Sequence, residues 1–448
     1  MIDRSIDRLI DRPIDRIVVI NDLARPQGGA SLLAVNSARQ FAERGYRVTM
    51  ITDDSGPDAD PGFETVSLGQ ERLLDSPAKA LANGIYNRAA RKMVAEWIAT
   101  NDTPGTIYHV HGWSQILSPA LFAALKPVRD RLVMSAHDFF ATCPNGAFYD
   151  YSATRPCWRT PMTRDCITAQ CDRRNYGHKL WRVARHTALG RTLGPRADEA
   201  AHMPPQLLIH AGMAPFFARS GLKEDDMVAL PNPVVPWRRE RIRAEENRDV
   251  LFVGRLEQTK GADLAAEACR RAGARLVAVG DGAMLDSLRK SYPEMDFRGR
   301  FPHERIGEVA ASARMVVMPS RYMEPFGLTA VEALWSGLPV LAAHDALLAD
   351  DLVQAGAGLA VDPRDADQFA GAIASLLHDD ALTERMSRAA FEKTDHLAMQ
   401  PDRWIDALLI AYKAMLAGGR EALKQASLQW SGASGQPESA AVATRTPD

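Results

Sequence analysis

The sequence lacks the features that mark several large classes of protein. It has no apolar run near the ~18 residues that a membrane-spanning helix needs, so we expect a soluble or peripheral protein. Only five of its 448 residues are cysteine and its start has no secretory signal, which predicts a reducing, cytoplasmic setting. With 54 basic and 56 acidic residues, it also lacks the charge excess typical of proteins that bind nucleic acid.

The remaining composition is that of a folded globular protein. The hydrophobic fraction is 46% and the charged fraction 25%, which excludes a mostly disordered chain, a collagen-like chain and a disulfide scaffold. At ~100–200 residues per domain, the length predicts two domains or three. Residues 1–14 repeat Ile-Asp-Arg and are expected to form a low-complexity extension, and residues 431–448, rich in small and polar residues, a disordered tail.

Between these ends, short apolar runs alternate with helical patterns in two successive halves. Runs such as residues 207–210 and 316–319 are apolar throughout, which is typical of strands buried on both faces of a parallel sheet. The pattern predicts two consecutive doubly wound α/β domains that face each other across a cleft. The expected strands are residues 17–21, 47–52, 65–68, 107–111, 132–137, 207–210, 228–231, 250–254, 275–280, 296–299, 315–320, 339–343 and 359–361; the expected helices include residues 31–43, 78–99, 117–125, 178–189, 263–271, 284–292, 304–313, 328–336 and 366–377.

The predicted boundaries follow from changes in composition. Residues 15–232 form the expected first domain, which carries a cysteine-rich insert at residues 141–174, and residues 233–400 the second. The joint lies in the proline-rich residues 231–236. A helical segment at residues 401–430 is expected to pack back on the first domain.

The most informative segment is residues 318–337, where a buried strand is followed by a loop and a helix. Pro325 suits the first helical position, and the free amides of Phe326, Gly327 and Leu328 would then bind an anion such as phosphate. Two carboxylates, Glu324 and Glu332, flank this site. They favour a ligand with phosphate in the middle and sugar hydroxyls on both sides.

A second segment places two cations after a strand of the same sheet. Arg255 and Lys260 follow the strand that ends near Gly254. Arginine can grip a diphosphate as a planar fork and lysine as a point charge, so both could neutralise a departing diphosphate.

These two segments resemble glycosyltransferase family 4. The match includes the Glu-x7-Glu signature, the Pro-Ser before it, the Phe-Gly-Leu within it and the Gly-x-Pro-Val after it. The resemblance implies two Rossmann-like domains in the GT-B arrangement. It also implies that Glu324 contacts the donor sugar, that Glu332 binds the ribose hydroxyls and that Arg255 and Lys260 stabilise the leaving group.

Glycines and histidines at strand ends complete the candidate site. Gly28 and Gly29 join the first strand to its helix, and Gly280 and Gly282 follow a strand of the second domain, where each permits close backbone approach by a ligand. His111 and His137 each end a strand of the first domain and could bind sugar hydroxyls or developing charge. By position, His137 matches the family histidine that lies near the donor sugar.

Four of the five cysteines fall within the insert, and three interpretations of them stay open. A structural metal site, for which zinc is the candidate, packed free thiols and disulfides each fit the clustering, although no C-x2-C knuckle is present. Asp58 and Asp60 form a D-x-D pattern, but in a loop rich in glycine and proline, so no metal cofactor is expected to be required. The cysteines are Cys143, Cys157, Cys166 and Cys171.

From residue 173 to residue 197 there are seven basic residues and no acidic one. Leu180, Trp181, Ala184 and Ala188 share one helical face in this stretch. The stretch is either a core helix with a solvated basic face or a helix that lies on an anionic membrane surface and docks a lipid-linked acceptor.

The resemblance implies a reaction that transfers a sugar from a nucleoside diphosphate sugar to a hydroxyl of a glycan or lipid-linked glycan, with retention of anomeric configuration. The usual role of the family's members implies cell-envelope or exopolysaccharide synthesis, in the cytoplasm or at the inner face of the membrane. The catalytic candidates are Arg255, Lys260, Glu324 and His137. Two alternatives are a nucleotide-sugar epimerase of the same fold and a non-catalytic nucleotide-sugar-binding protein.

Overall fold

A computed structural model describes residues 13–25, 28–52, 54, 62–70, 81–194 and 203–431. The predictions for residues 1–12 and 432–448, and for Asp58 and Asp60, lie outside these ranges. In the described part of the chain, no helix is long and apolar enough to cross a membrane.

The N-terminal domain is built on a seven-stranded parallel sheet in the order β3-β2-β1-β4-β5-β8-β9. Ile17, Val18, Val19 and Ile20 in the central strand are all fully buried, because helices cover both faces of the sheet. The strands are β1 Arg16–Ile20, β2 Val48–Thr52, β3 Glu64–Ser67, β4 Thr106–Val110, β5 Leu132–Ala136, β8 Gln206–Leu208 and β9 Met227–Ala229, and the two-stranded hairpin β6 Tyr149–Asp150 and β7 Arg155–Pro156 stands apart from the sheet.

The helices of this domain alternate with its strands. One prediction was wrong in extent: the single helix expected at residues 78–99 is interrupted, because residues 81–83 are helical, residues 84–87 are not, and a second helix begins at Arg88. Asn87 caps it by accepting a hydrogen bond from the backbone N–H of Ala90 at 3.2 Å, and asparagine is a preferred N-cap residue. The helices are α1 Gly29–Glu43, α2 Arg88–Asn101, α3 Ala120–Leu125, α4 Arg164–Thr168, α5 Tyr176–Leu193 and α6 Ala214–Arg219.

The C-terminal domain repeats the plan with a six-stranded parallel sheet in the order β12-β11-β10-β13-β14-β15. The helix expected at residues 304–313 is short, because Ala313 already begins the next strand. The elements are β10 Asp249–Val253, α7 Ala262–Ala272, β11 Leu276–Val279, α8 Leu285–Ser291, β12 Asp296–Gly299, α9 Ile306–Ala310, β13 Ala313–Met318, α10 Leu328–Trp335, β14 Val340–Ala343, α11 Ala349–Gln354, β15 Gly358–Val361, α12 Ala366–His378 and α13 Asp380–Lys393.

The chain crosses between the domains twice, and the two crossings contact each other. The backbone N–H of Val234 donates to the carbonyl of Met399 at 2.8 Å, and that of Met399 donates to the carbonyl of Asn232 at 3.2 Å. After the second crossing, the helix α14, Pro401–Ser431, packs on the N-terminal domain. The Trp430 indole N–H donates to the carbonyl of Ala229 at 3.0 Å there.

Candidate active site

A cavity of about 860 Å³ lies between the two domains, at the carboxyl ends of their strands. This is the position at which doubly wound sheets bind ligands. Both domains contribute predicted residues to its wall. Of the predicted catalytic and substrate-binding residues, Glu332, Gly282 and His111 do not line it, and neither do the four cysteines of the insert. The predicted residues on the wall are Gly28, Gly29, His137, Arg255, Lys260, Gly280, Glu324, Phe326, Gly327 and Leu328.

Lys260 and Glu324 are paired in this wall. The Lys260 ammonium donates to Oε2 of Glu324 at 2.7 Å and to the Tyr322 hydroxyl at 3.0 Å, and the Ser320 hydroxyl donates to the same Oε2 at 3.0 Å. Burial acts to raise the pKa of Glu324, but the charge of Lys260 and these hydrogen bonds outweigh it and hold that pKa below its usual value. The pair is therefore fully ionised at neutral pH. Tyr322 and Ser320 were not among the predicted residues, although both lie in the predicted segment.

Arg255 stands nearer to solvent than Lys260. Its side chain is 65% exposed, and it donates to Glu257 at 2.8 Å. An exposed guanidinium can move toward a ligand at small cost, whereas the partly buried Lys260 is held in place by its hydrogen bonds to Glu324 and Tyr322.

The helix tip differs from the prediction in one respect. Helix α10 begins at Leu328, and Gly327, with φ 83°, precedes it as the N-cap residue, so Pro325 lies in the loop and not in the first turn. Ala330 already donates to the carbonyl of Gly327, which leaves the backbone N–H groups of Leu328 and Thr329 at the helix start. Both residues line the cavity, so the helix start still offers an anion site there.

An ion pair that the sequence did not reveal holds the loop of Lys260 and the loop of Glu324 together. The Arg321 guanidinium donates to both carboxylate oxygens of Asp263, at 2.7 and 2.6 Å, and its backbone N–H donates to the carbonyl of Thr259 at 2.8 Å. A bidentate arginine–carboxylate pair has a fixed geometry. It therefore sets the position of Lys260 relative to Glu324.

One glycine on each side of the cleft brings backbone close to its neighbours. Gly280 has φ 150°, and a Cβ there would lie 1.8 Å from the carbonyl oxygen of Gly254. A Cβ on Gly29 would lie 3.3 Å from Cδ1 of Leu328, so the glycine loop of the N-terminal domain faces the start of helix α10 across the cleft.

Glu332 lies behind the wall and has two partners. Nε2 of His303 is 2.8 Å from its Oε1, and the Trp237 indole N–H donates to its Oε2 at 3.1 Å. The hydrogen bond to Glu332 and its negative charge raise the pKa of His303. His303 lines the cavity and was not predicted, because it lies 29 residues from Glu332 in the sequence.

The histidines of the N-terminal domain form a stack. His137 lines the cavity, and its Nε2 is 3.0 Å from Nδ1 of His111, which is 4% exposed. The ring of His109 lies behind His111, with the centroids 4.0 Å apart. Burial lowers the pKa of His137 to about 4 and that of His109 to about 3.

The insert reaches the cavity and also the C-terminal domain. Its Gly146 and Ala147 line the wall. Arg364 of the C-terminal domain donates to the Tyr149 hydroxyl at 3.3 Å and also to the carbonyl of Thr154. The insert therefore contacts the opposite side of the cleft.

All four cysteines of the insert are buried and free, so the structure contains no disulfide there. The Lys179 ammonium lies among them, 3.1 Å from Sγ of Cys171 and 3.7 Å from Sγ of Cys166. Within the described residues, no group of three or more histidine, cysteine or acidic side chains is arranged to hold a metal ion. Of the three interpretations, the arrangement matches packed free thiols, here around a lysine.

Helix α5 does not bury the apolar face that its pattern indicated for a core helix; basic side chains point inward instead. Leu180 is 43% exposed, whereas Lys179 is fully buried and Arg185 nearly so. The Arg185 guanidinium lies 4.7 Å from the centroid of the Phe140 ring and donates to the carbonyl of Ser114 at 2.9 Å. Aromatic rings and thiols thus accept the inward basic side chains and leave apolar ones at the surface.

Two family models match the chain. The model described as Glycosyltransferase Family 4 matches residues 27–174, and the model described as Glycosyl transferases group 1 matches residues 236–393. A D-inositol 3-phosphate glycosyltransferase of Mycobacterium marinum is 34% identical over 416 residues, which cover 86% of this chain and 81% of that protein. The chain belongs to glycosyltransferase family 4. The recognition made from the Glu-x7-Glu segment is therefore confirmed.

Other relatives of this family 4 glycosyltransferase match over different lengths. D-inositol 3-phosphate glycosyltransferase 1 of Catenulispora acidiphila is 25% identical over 90% of this chain and 96% of that protein. Glycogen synthase of Mycobacterium tuberculosis is 33% identical, but the match covers 32% of this chain and only 37% of that protein.

Solved structures show the same architecture. Sucrose-phosphate synthase from Thermosynechococcus elongatus matches with a TM-score of 0.65 and 18% identity, over 90% of this chain and 100% of that one. WaaG, a glycosyltransferase involved in lipopolysaccharide biosynthesis, matches with a TM-score of 0.59 and 17% identity, over 90% of this chain and 100% of that one. The predicted fold class, two Rossmann-like domains in the GT-B arrangement, is confirmed.

Proposed function

We propose that this chain is a retaining glycosyltransferase that moves a sugar from a nucleoside diphosphate sugar to an acceptor hydroxyl. The observation that carries the proposal is the Lys260–Glu324 pair, which lies in the cleft wall beside the start of helix α10. A cation and free helix amides suit a diphosphate, and a carboxylate next to them suits the hydroxyls of the attached sugar.

In the proposed reaction, the acceptor hydroxyl attacks the anomeric carbon from the face that the diphosphate leaves. The bond from that carbon to the phosphate oxygen breaks, the bond to the acceptor oxygen forms, and the hydroxyl proton passes to the leaving phosphate. Lys260, Arg255 and the amides of helix α10 stabilise the negative charge that develops. Because these groups supply the positive charge, we propose that no metal cofactor is required and expect transfer to continue in the presence of a chelator.

A panel of nucleoside diphosphate sugars tests the proposal. The preferred donor should raise the melting temperature, since a ligand that binds the folded state stabilises it. With acceptors such as inositol phosphates and envelope glycans, the matching pair should release nucleoside diphosphate and form a product with the donor's anomeric configuration. Products of inverted configuration would contradict retention.

The alternatives give different products in the same experiment. An epimerase would isomerise the donor or release free sugar without any acceptor. A binding protein would leave the donor intact, and Glu324→Gln would then change its affinity with no turnover to lose.

We propose in addition that the enzyme acts on a lipid-linked or glycan acceptor in cell-envelope synthesis and touches the membrane through helix α5. On the outward side of this helix, Tyr176 and Leu180 are exposed. The exposed Arg173 and Arg174 lie just before the helix begins. Apolar side chains flanked by arginine suit an anionic bilayer surface. Co-sedimentation should rise with the fraction of anionic lipid and fall in Leu180→Glu, and equal binding to neutral vesicles would contradict the contact.

A further inference from the structure

His111 does not reach the cavity, but it touches a residue that does. Its backbone N–H donates to the carbonyl of Ile20 at 2.8 Å, which fixes it at the end of strand β4. Its ring is nearly parallel to that of His137, with an interplanar angle of 20° and 5.2 Å between centroids. A side chain held this firmly can orient its neighbour.

The hydrogen bond between the two rings can be made in two ways. Either Nδ1–H of His111 donates to Nε2 of His137, or Nε2–H of His137 donates to Nδ1 of His111, across the same 3.0 Å. Burial lowers the pKa of both rings, so each carries a single proton at neutral pH. The choice therefore also decides which nitrogen of His137 carries its proton.

The other nitrogen of His111 decides between the two. Its Nε2 is buried and has no hydrogen-bond partner among the described residues. In the second arrangement this nitrogen would carry the proton and would be a buried N–H donor without an acceptor. Buried donors without a partner are rarer than buried acceptors without one, so the first arrangement is favoured.

His109 closes the other side of the stack. Its Nδ1 is 2.6 Å from the hydroxyl of Tyr412 in helix α14 and its Nε2 is 2.8 Å from the Ser135 hydroxyl, so both of its nitrogens are occupied. It therefore packs against His111 without offering it a hydrogen bond. The bond to His137 is the side-chain hydrogen bond that His111 makes in the described part of the chain.

We propose that His111 is a positioning residue that holds His137 in the tautomer with its proton on Nδ1, so that His137 donates a hydrogen bond to a sugar hydroxyl oxygen in the cleft. The hydrogen bond that one ring nitrogen of a histidine makes decides whether the other nitrogen carries the proton. Without His111, the Nε2–H tautomer, which predominates in free histidine, would leave an acceptor at that point. The inference rests on the proposed function for its kinetic consequence but not for the tautomer itself.

Two substitutions separate a positioning role from a structural one. His111→Leu removes the donor, and His111→Asn retains an amide N–H near the position of Nδ1. We expect His111→Leu to lower kcat/KM roughly 10-fold to 100-fold, as loss of a supporting hydrogen bond does elsewhere, and His111→Asn to restore most of it. In a His137→Ala background, His111→Leu should lower kcat/KM no further, because its effect passes through His137.

Long-range ¹H–¹⁵N spectra of the full chain labelled at histidine nitrogen read the tautomer directly. We expect the wild type to show His137 protonated on Nδ1 and His111→Leu to show the proton on Nε2. A wild-type His137 protonated on Nε2, or additive losses of kcat/KM in the double variant, would overturn the proposal. If no donor or acceptor supports transfer, the proposed function fails while the spectra still decide the tautomer.

Discussion

The ammonium of Lys260 lies 2.7 Å from Oε2 of Glu324, although the two residues are 64 positions apart and leave different strands of the C-terminal sheet. Each group keeps the other charged in a wall that excludes much of the solvent. The leaving-group site and the sugar site that we propose are therefore coupled through one hydrogen bond.

Lys260→Met should lower kcat/KM by roughly 100-fold to 1,000-fold, the usual effect of removing one preorganised charge-stabilising group. It also leaves the Glu324 carboxylate without its cation. Steady-state kinetics check this, with the exposed Lys290→Met on helix α8 as the matched control. Equal activity in the two variants would remove Lys260 from the catalytic machinery.

Gly280→Ala should damage the C-terminal domain far more than Gly273→Ala. Both glycines have positive φ, but a Cβ at 280 would lie 1.8 Å from a carbonyl oxygen, and a Cβ at 273 meets nothing within 4 Å. The control should cost only about 1–2 kcal/mol of conformational strain. Calorimetric melting compares them, and similar melting temperatures would show that the backbone at Gly254 yields easily.

Acid should destabilise the protein through the histidine stack. The folded pKa values of His109 and His137 are lowered to about 3 and about 4, and that of His111 is lowered as well. Well above the unfolded pKa of ~6.5, these rings are neutral in both the folded and the unfolded state, so their contribution to stability is complete. As the pH falls from there toward 4, the unfolded state binds protons that the folded state does not, and the free energy of unfolding decreases.

The size of this effect scales with the number of buried rings. Each ring lowers the free energy of unfolding by up to about 1.4 kcal/mol per pH unit in this range. His111→Asn removes one of them, so its melting temperature should fall less than that of the wild type between pH 7.5 and 5.5. If the melting temperature fell equally in His111→Asn and the wild type, His111 would be protonated in the folded protein as readily as in the unfolded one.

Thr154→Gly should stabilise the protein by roughly 0.5–1 kcal/mol, because a left-handed conformation costs a residue with a Cβ more than it costs glycine. Thr154 has φ 52° in the turn of the insert hairpin, and its carbonyl, which accepts from Arg364, is kept in the variant. Thr160→Gly is the control, since this exposed threonine is not among the residues of positive φ and should only lose stability. A fall in melting temperature for both would show that the turn is not strained.

The sheets could be predicted from the sequence because their signal is local. The strand expected at residues 17–21 lies at Arg16–Ile20, and the one expected at residues 296–299 lies at Asp296–Gly299. Runs of buried apolar residues between turn signals depend on few distant contacts. The helix start near Arg88 was missed because the Asn87 cap interrupts a helical pattern that continues on both sides.

The site was predictable as far as it follows strand ends, and no further. Lys260 and Glu324 follow strands β10 and β13 directly, so their meeting follows from the sheet. The Arg321–Asp263 ion pair and the His303 partner of Glu332 join segments with no common sequence pattern. The inward basic side chains of helix α5 depend on rings and thiols that the insert supplies, which periodicity alone does not show.

The return of helix α14 to the N-terminal domain bears on the order of events during synthesis. Tyr412 and Trp430 pack in a core whose N-terminal-domain members, from Ile17 to Leu230, emerge from the ribosome roughly two hundred residues or more before Trp430. Domains generally fold as they are made, beginning at the amino end. In this chain, the half that is made first has to wait for the end of helix α14 before its apolar surface is covered, and during that interval it is a candidate for chaperone binding.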